Sequence, residues 1–252
     1  MTDFLLVHGA GQGAWIWGSV WGHLTAPVEH PPRLHAARQS NRVRTLDLPG
    51  HGADAGGDTD QVRMEECVHA IVRMVEREGL KDVVLVGHDF AGSLIMQASY
   101  QLNQPPKRLV LVAGIVPAGQ RSMLAVLPRR TRTAFRMLNG LSKLSRQEFR
   151  LPGAAIRSQL CNGMGPMEVV EVLGFFGALP TKVLTARVVL EDAPLPCPVT
   201  YVELTKDRLL PPAVQQRMAQ RLAGVEVLQV DSCHQAMFQK PREVAEVLLR
   251  YA

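Results

Sequence analysis

Short apolar runs closed by glycine alternate along this chain with stretches whose apolar positions recur at helical spacing. "DFLLVHG" (3–9) and "DVVLVG" (82–87) are continuous apolar runs of strand length, the pattern of strands buried on both faces. "RVRTLDLPGHG" repeats the arrangement and ends in a Pro49-Gly50 turn, and "RLVLVAG" adds another strand. Between them "DQVRMEECVHAIVRMVEREG" places Val62, Cys67, Ile71, Met74 and Val75 on one helical face before Gly79, and a second helix is predicted over about 91–101. Strand and helix alternate again after residue 197, through "PVTYVEL", "PAVQQRMAQRL", "VEVLQV" and "PREVAEVLLRY". This order predicts an α/β fold: a mostly parallel sheet with helices on both faces.

The alternation is interrupted between Pro117 and Leu190. There two or three basic amphipathic patterns, broken by "LPRR", "LPG", "CNGMGP" and "ALPTK", predict helices without strands. The expected organisation is a core over 1–116 and 191–252 with an inserted helical cap over 117–190. A chain of 252 residues, 46% hydrophobic, suffices for one such core but hardly for two independent domains.

Charge changes this picture mainly through its location. The insertion holds eleven Lys/Arg and three acids, so the remainder of the chain is net acidic despite an overall +5. That distribution argues against a nucleic-acid binder. It leaves open an anionic or carrier-linked small-molecule substrate beside the plainer reading of a solvated basic face. Cys67, Cys161, Cys197 and Cys233 are dispersed and form no C-x-x-C pair, so neither a metal site nor a disulfide framework is expected. No apolar run approaches the about 20 residues of a membrane span, and "MTDFLLVHGAG" lacks a basic leader and cleavage site. A cytoplasmic protein without membrane contact is expected; oligomeric state is not legible.

The candidate chemistry lies in five segments: "LLVHGAGQGAWIW", "LDLPGHG", "VGHDFAG", "LTKDRLLPP" and "DSCHQAMFQKP". In this order they resemble the α/β-hydrolase family, in its compact methylesterase and hydroxynitrile-lyase-like branch. The resemblance implies Asp89 at the nucleophile position of a G-x-S-x-G-like elbow, Asp207 as the acid and His234 as the base. It also implies an oxyanion hole from the backbone N–H groups of Ala10 and Phe90, and no metal or organic cofactor. Read without the family, Asp89 could be a turn residue, Asp207 a helix cap and His234 a packed ring. His8, His51 and His88 read as structural; His23, His30, His35 and His69 carry no signal. Trp15, Trp17 and Trp21 read as core more readily than as pocket.

Aspartate at the elbow alters the expected reaction. It is ionised near neutral pH without help from a base. Attack on an ester would yield an anhydride and set a second negative charge beside the oxyanion, at about 4 kcal/mol for ~4 Å and an effective dielectric near 20. Opening of an epoxide or displacement at another activated saturated carbon, through an aspartyl ester, is therefore the leading expectation. The alternatives are a non-hydrolytic cyclase, lyase or isomerase using Asp89 and His234 as bases, a serine esterase in which Asp replaces an encoded Ser, and a non-catalytic receptor. The insertion holds no tyrosine of the kind epoxide hydrolases use, and Phe90 stands where haloalkane dehalogenases carry Trp and fluoroacetate dehalogenases Arg.

Overall fold

The computed structural model describes residues 2–26, 41–56, 58–190 and 194–252. His30 and His35 lie outside the described residues. The described elements in chain order are β1 (Asp3–Val7), α1 (Gly18–Thr25), β2 (Arg42–Leu46), α2 (Met64–Arg77), β3 (Val84–His88), α3 (Ala91–Gln101) and β4 (Arg108–Val112). There follow α4 (Arg129–Leu144), α5 (Gly153–Ala155) running into a wide turn over Ile156–Leu160, α6 (Pro166–Phe175) and α7 (Thr181–Thr185). The chain closes with β5 (Val199–Leu204), α8 (Pro212–Ala219), β6 (Glu226–Val230), α9 (Ala236–Gln239) and α10 (Pro241–Leu249).

The six strands form one parallel sheet in the order β2-β1-β3-β4-β5-β6. Right-handed crossovers then dictate where the helices go. The chain moves one way across the sheet through α1 and the opposite way through α2, α3 and α8, so α1 covers one face and the others cover the second. The packing agrees, since α1 lies against α10 and α2 against α3. Strands covered on both faces are largely apolar, and β1 and β3 are buried at every position, with Asp3 and His88 at their ends the polar members. Each fully buried Leu or Val there contributes roughly 1.5–3 kcal/mol relative to exposure. The edge strand β6 instead alternates partly buried and exposed positions until its buried last residue, Val230.

Strand order also locates the site. After β1 the chain steps outward to β2 and then returns to the other side of β1, so β1 and β3 flank a topological switch point. Val7 pairs with Gly87, which brings the loops leaving both carboxyl ends side by side. The segment between β4 and β5 is helical among the described residues, apart from a single antiparallel bridge, Ser122 to Arg187, that ties its entrance to its exit.

Candidate active site

The turn from β3 into α3 explains why its residues are what they are. Asp89 has φ of 52°, a left-handed conformation that aspartate adopts more readily than most residues. Its backbone is held from both sides. The Asp89 N–H donates to Val112 O (3.2 Å), and its carbonyl accepts from Ile115 N–H (2.8 Å) and Gly92 N–H (3.0 Å). Close approach fixes the glycines. A Cβ on Gly87 would lie 2.7 Å from Ala91 O, and one on Gly92 2.7 Å from the Gly114 backbone. The motif is strictly G-x-D-x-A, with Gly92 one position on providing the close contact to the loop after β4.

Asp207 follows β5 and His234 follows β6, both at carboxyl ends of the sheet. His234 Nδ1 donates to Asp207 Oδ2 at 2.8 Å, and Asp207 Oδ1 accepts from Leu210 N–H at 2.9 Å. Asp207 thus caps a turn and holds the imidazole as well. Both side chains are almost fully removed from water. Burial opposes a charge on His234, yet the adjacent Asp207 carboxylate, its hydrogen bond and the Asp89 charge raise the imidazole pKa above its ordinary value. Burial likewise raises the pKa of Asp89, against the lowering influence of His234 and of the Ala10 and Phe90 N–H groups.

Ala10 lies in the loop after β1 and Phe90 directly follows Asp89, and both backbone N–H groups face the Asp89 carboxylate. The Ala10 N–H donates to Asp89 Oδ2 at 3.2 Å, so a carboxylate oxygen already sits where a backbone pair of this kind would receive an oxyanion. Glutamines that carry no sequence signal brace the arrangement. Gln12 Oε1 accepts from Gly9 N–H (2.9 Å), and its Nε2 donates to Gln235 Oε1 (2.8 Å), joining the loop after β1 to the residue after His234. Gln215 secures the other loop through Leu204 and Leu210.

The family model described as Alpha/beta hydrolase family matches residues 4–247. The chain belongs to that family. It is 26% identical over 266 aligned residues to a pyrethroid hydrolase of Sphingobium wenxiniae, covering 100% of this chain and 88% of the relative. A carbendazim hydrolyzing esterase of a Nocardioides species is 29% identical over 129 residues, which are 51% of this chain and 48% of the relative. Against that relative the chain spans about half the length. An extracellular alpha/beta-hydrolase from a Paenibacillus species superposes with a TM-score of 0.84 at 22% identity, covering 100% of this chain and 99% of the other. A methylesterase from Arabidopsis gives 0.76 at 18% identity, covering 99% and 98%. At such identities the superpositions speak to the fold.

Within this α/β-hydrolase the remaining histidines divide from His234 by environment. His8 Nδ1 donates to Gly9 O (2.8 Å) and its Nε2 accepts from Leu48 N–H (3.1 Å). Burial, with His51 beside it, drives its pKa down to about 3. His51 and His88 are lowered by burial too, and His88 Nε2 donates to the His234 carbonyl at 3.0 Å. All three act as neutral braces. Of the tryptophans, Trp17 is buried in the core, Trp15 lies against Phe175 with ring centroids 5.4 Å apart, and Trp21 is exposed.

Above Asp89 and Ala10 lies a cavity of about 380 Å³, roofed by α4, α5 and the turn after it. Its walls are apolar, with Ile115, Met123, Phe135, Leu138, Phe176 and Leu184 among them. Asp89 and Arg130 are its charged lining residues, and Thr131 and Gln159 its uncharged polar side chains. No tyrosine lines it. Sequence reasoning missed Arg130, Thr131 and Gln159, because a basic amphipathic helix does not disclose which of its polar residues face inward.

No helix among the described residues is long and apolar enough to cross a membrane, and no cluster of potential metal ligands occurs among them.

Proposed function

We propose that this α/β-hydrolase opens an epoxide-like or other activated saturated carbon through an aspartyl ester at Asp89. The observation that carries the proposal is the hydrogen bond from Ala10 N–H to Asp89 Oδ2. With Oδ2 anchored, Oδ1 is the oxygen that attacks. A bond forms from Oδ1 to the substrate carbon while the carbon–oxygen bond of the epoxide breaks, and the departing oxygen takes a proton from solvent water. Gln159 and Thr131 are the uncharged side chains lining the cavity that can hydrogen-bond that oxygen as it departs. In the second step His234 takes a proton from water, whose oxygen adds to the Asp89 carbonyl carbon. Oδ2 becomes the oxyanion, facing the same backbone donors, and collapse breaks the Oδ1–Cγ bond, releasing the alcohol. His234 passes its proton to the departing alkoxide, and the regenerated Asp89 carboxyl ionises to solvent.

Relatives named as esterases make acyl substrates the rival reading. An acyl oxyanion would need the place that Oδ2 holds, next to a negative charge. A separate observation favours a second use of the carboxylate: its raised pKa suits proton abstraction in an elimination or cyclisation. One experiment separates the two. A single turnover of a terminal aliphatic epoxide in oxygen-18 water, followed by peptide mass spectrometry, is expected to place one labelled oxygen in Asp89. Turnover with unlabelled Asp89 would overturn the covalent route and favour the base.

The pH dependence follows from the His234 environment. The second step needs neutral imidazole, and its raised pKa places the acid limb of kcat above the ordinary value of about 6.5. Asp207→Asn removes the anion responsible. The limb is expected to move to lower pH while kcat falls by roughly 10²–10⁴, judged from the general behaviour of such pairs. A pH–rate profile checks this; a limb that stays in place would deny His234 the role of base.

A further inference from the structure

The cavity is asymmetric in charge, and that asymmetry specifies a ligand. Asp89 lies at its floor, at the sheet. Arg130 lies in the first turn of α4, in the roof, and no ion pair joins the two. The Arg130 side chain has no hydrogen-bond or ion-pair partner among the described residues, whereas nearby Arg132 donates to Ala125 O. The first turn of α4 also holds no acidic residue. Basic side chains there face the positive end of the helix dipole, which disfavours them until an anion arrives. Apart from Thr131 and Gln159, the remaining walls are apolar.

We infer that the cavity takes an elongated apolar molecule bearing an anionic group, which Arg130 pairs while the reacting carbon is directed to Asp89. The two charges cooperate in orientation: Asp89 repels the anionic end from the floor, and Arg130 accepts it at the roof. Guanidinium suits a carboxylate or phosphate because its forked donors match two oxygens. The inference rests on the reading of this cavity as the substrate site, and it names the substrate class for that reading.

Equilibrium binding tests it without requiring turnover. Decanoate and decanamide share a chain and differ in charge, and each is titrated against the unmodified protein, Arg130→Gln and Arg129→Gln. Decanoate is expected to bind about fivefold more tightly than decanamide, a modest preference because Arg130, although it lines the cavity, is exposed to solvent. Arg130→Gln should abolish the preference and Arg129→Gln, outside the cavity lining, should keep it. Equal affinities in the unmodified protein, saturable binding of neither ligand, a preference that survives Arg130→Gln, or an equal loss in Arg129→Gln would each overturn the inference. Because the readout is binding, unlabelled Asp89 in the oxygen-18 experiment would sink the covalent route and leave this result standing.

Discussion

Asp89→Ser is expected to gain hydrolysis of short p-nitrophenyl esters by about 10³-fold or more over the unmodified protein, with all of the gain lost in Asp89→Ser/His234→Ala. The serine side chain is one atom shorter than the carboxylate, so it vacates the position that Asp89 Oδ2 fills at the Ala10 N–H. A single oxyanion donor is worth about 10²–10³ in kcat, and serine also removes a negative charge from beside the developing oxyanion. The groups on which such a serine would draw are held by hydrogen bonds. His234 is held by Asp207 at 2.8 Å, and the loop after β1 is braced by Gln12. Initial rates on p-nitrophenyl acetate and butyrate, with circular dichroism to show intact folding, check the prediction. If the unmodified protein is already a fast, His234-dependent esterase, the repulsion argument fails and Asp89 must attack acyl carbon directly.

The sheet and the meeting of Asp207 with His234 were legible because each depends on local pattern. Continuous apolar runs such as "DVVLVG" mark strands covered on both faces, and β3 is buried throughout. Asp207 and His234 follow predicted strands, and strands of a parallel sheet deliver their following loops to one edge, so residues 27 positions apart meet in a hydrogen bond. Two things were not legible. The hydrogen bond from Ala10 N–H to Asp89 Oδ2 depends on the side-chain conformation at a left-handed turn, which no spacing encodes. The Gln12–Gln235 link joins residues 223 positions apart whose individual contexts look like ordinary loop. The cavity-lining residues of α4 fall in the same class, since Arg129, Arg130, Arg132 and Arg136 are equivalent in composition and only the fold puts Arg130, itself exposed, at the cavity.

His234→Ala is expected to stop the reaction at the aspartyl ester. Attack by Asp89 needs an ionised carboxylate and no base, so the first step survives the substitution, while activation of water does not. Loss of a base that acts in concert with its partners costs on the order of 10⁴–10⁶ in kcat. The consequence is a protein whose intact mass rises by one equivalent of a terminal aliphatic epoxide and stays raised, with the adduct mapped to the peptide containing Asp89. His234 is buried, packs against the tilted His88 ring at 4.5 Å between centroids and removes a hydrogen bond from Asp207 when truncated, so a folding control is required. His234→Gln retains a polar side chain of similar length and should trap the same adduct. Accumulation in either variant, absent from Asp89→Asn, would show directly that the carboxylate forms the bond. A folded His234 variant that neither turns over nor gains mass would mean that His234 acts before any bond to Asp89 is made, and the chemistry would then be proton abstraction.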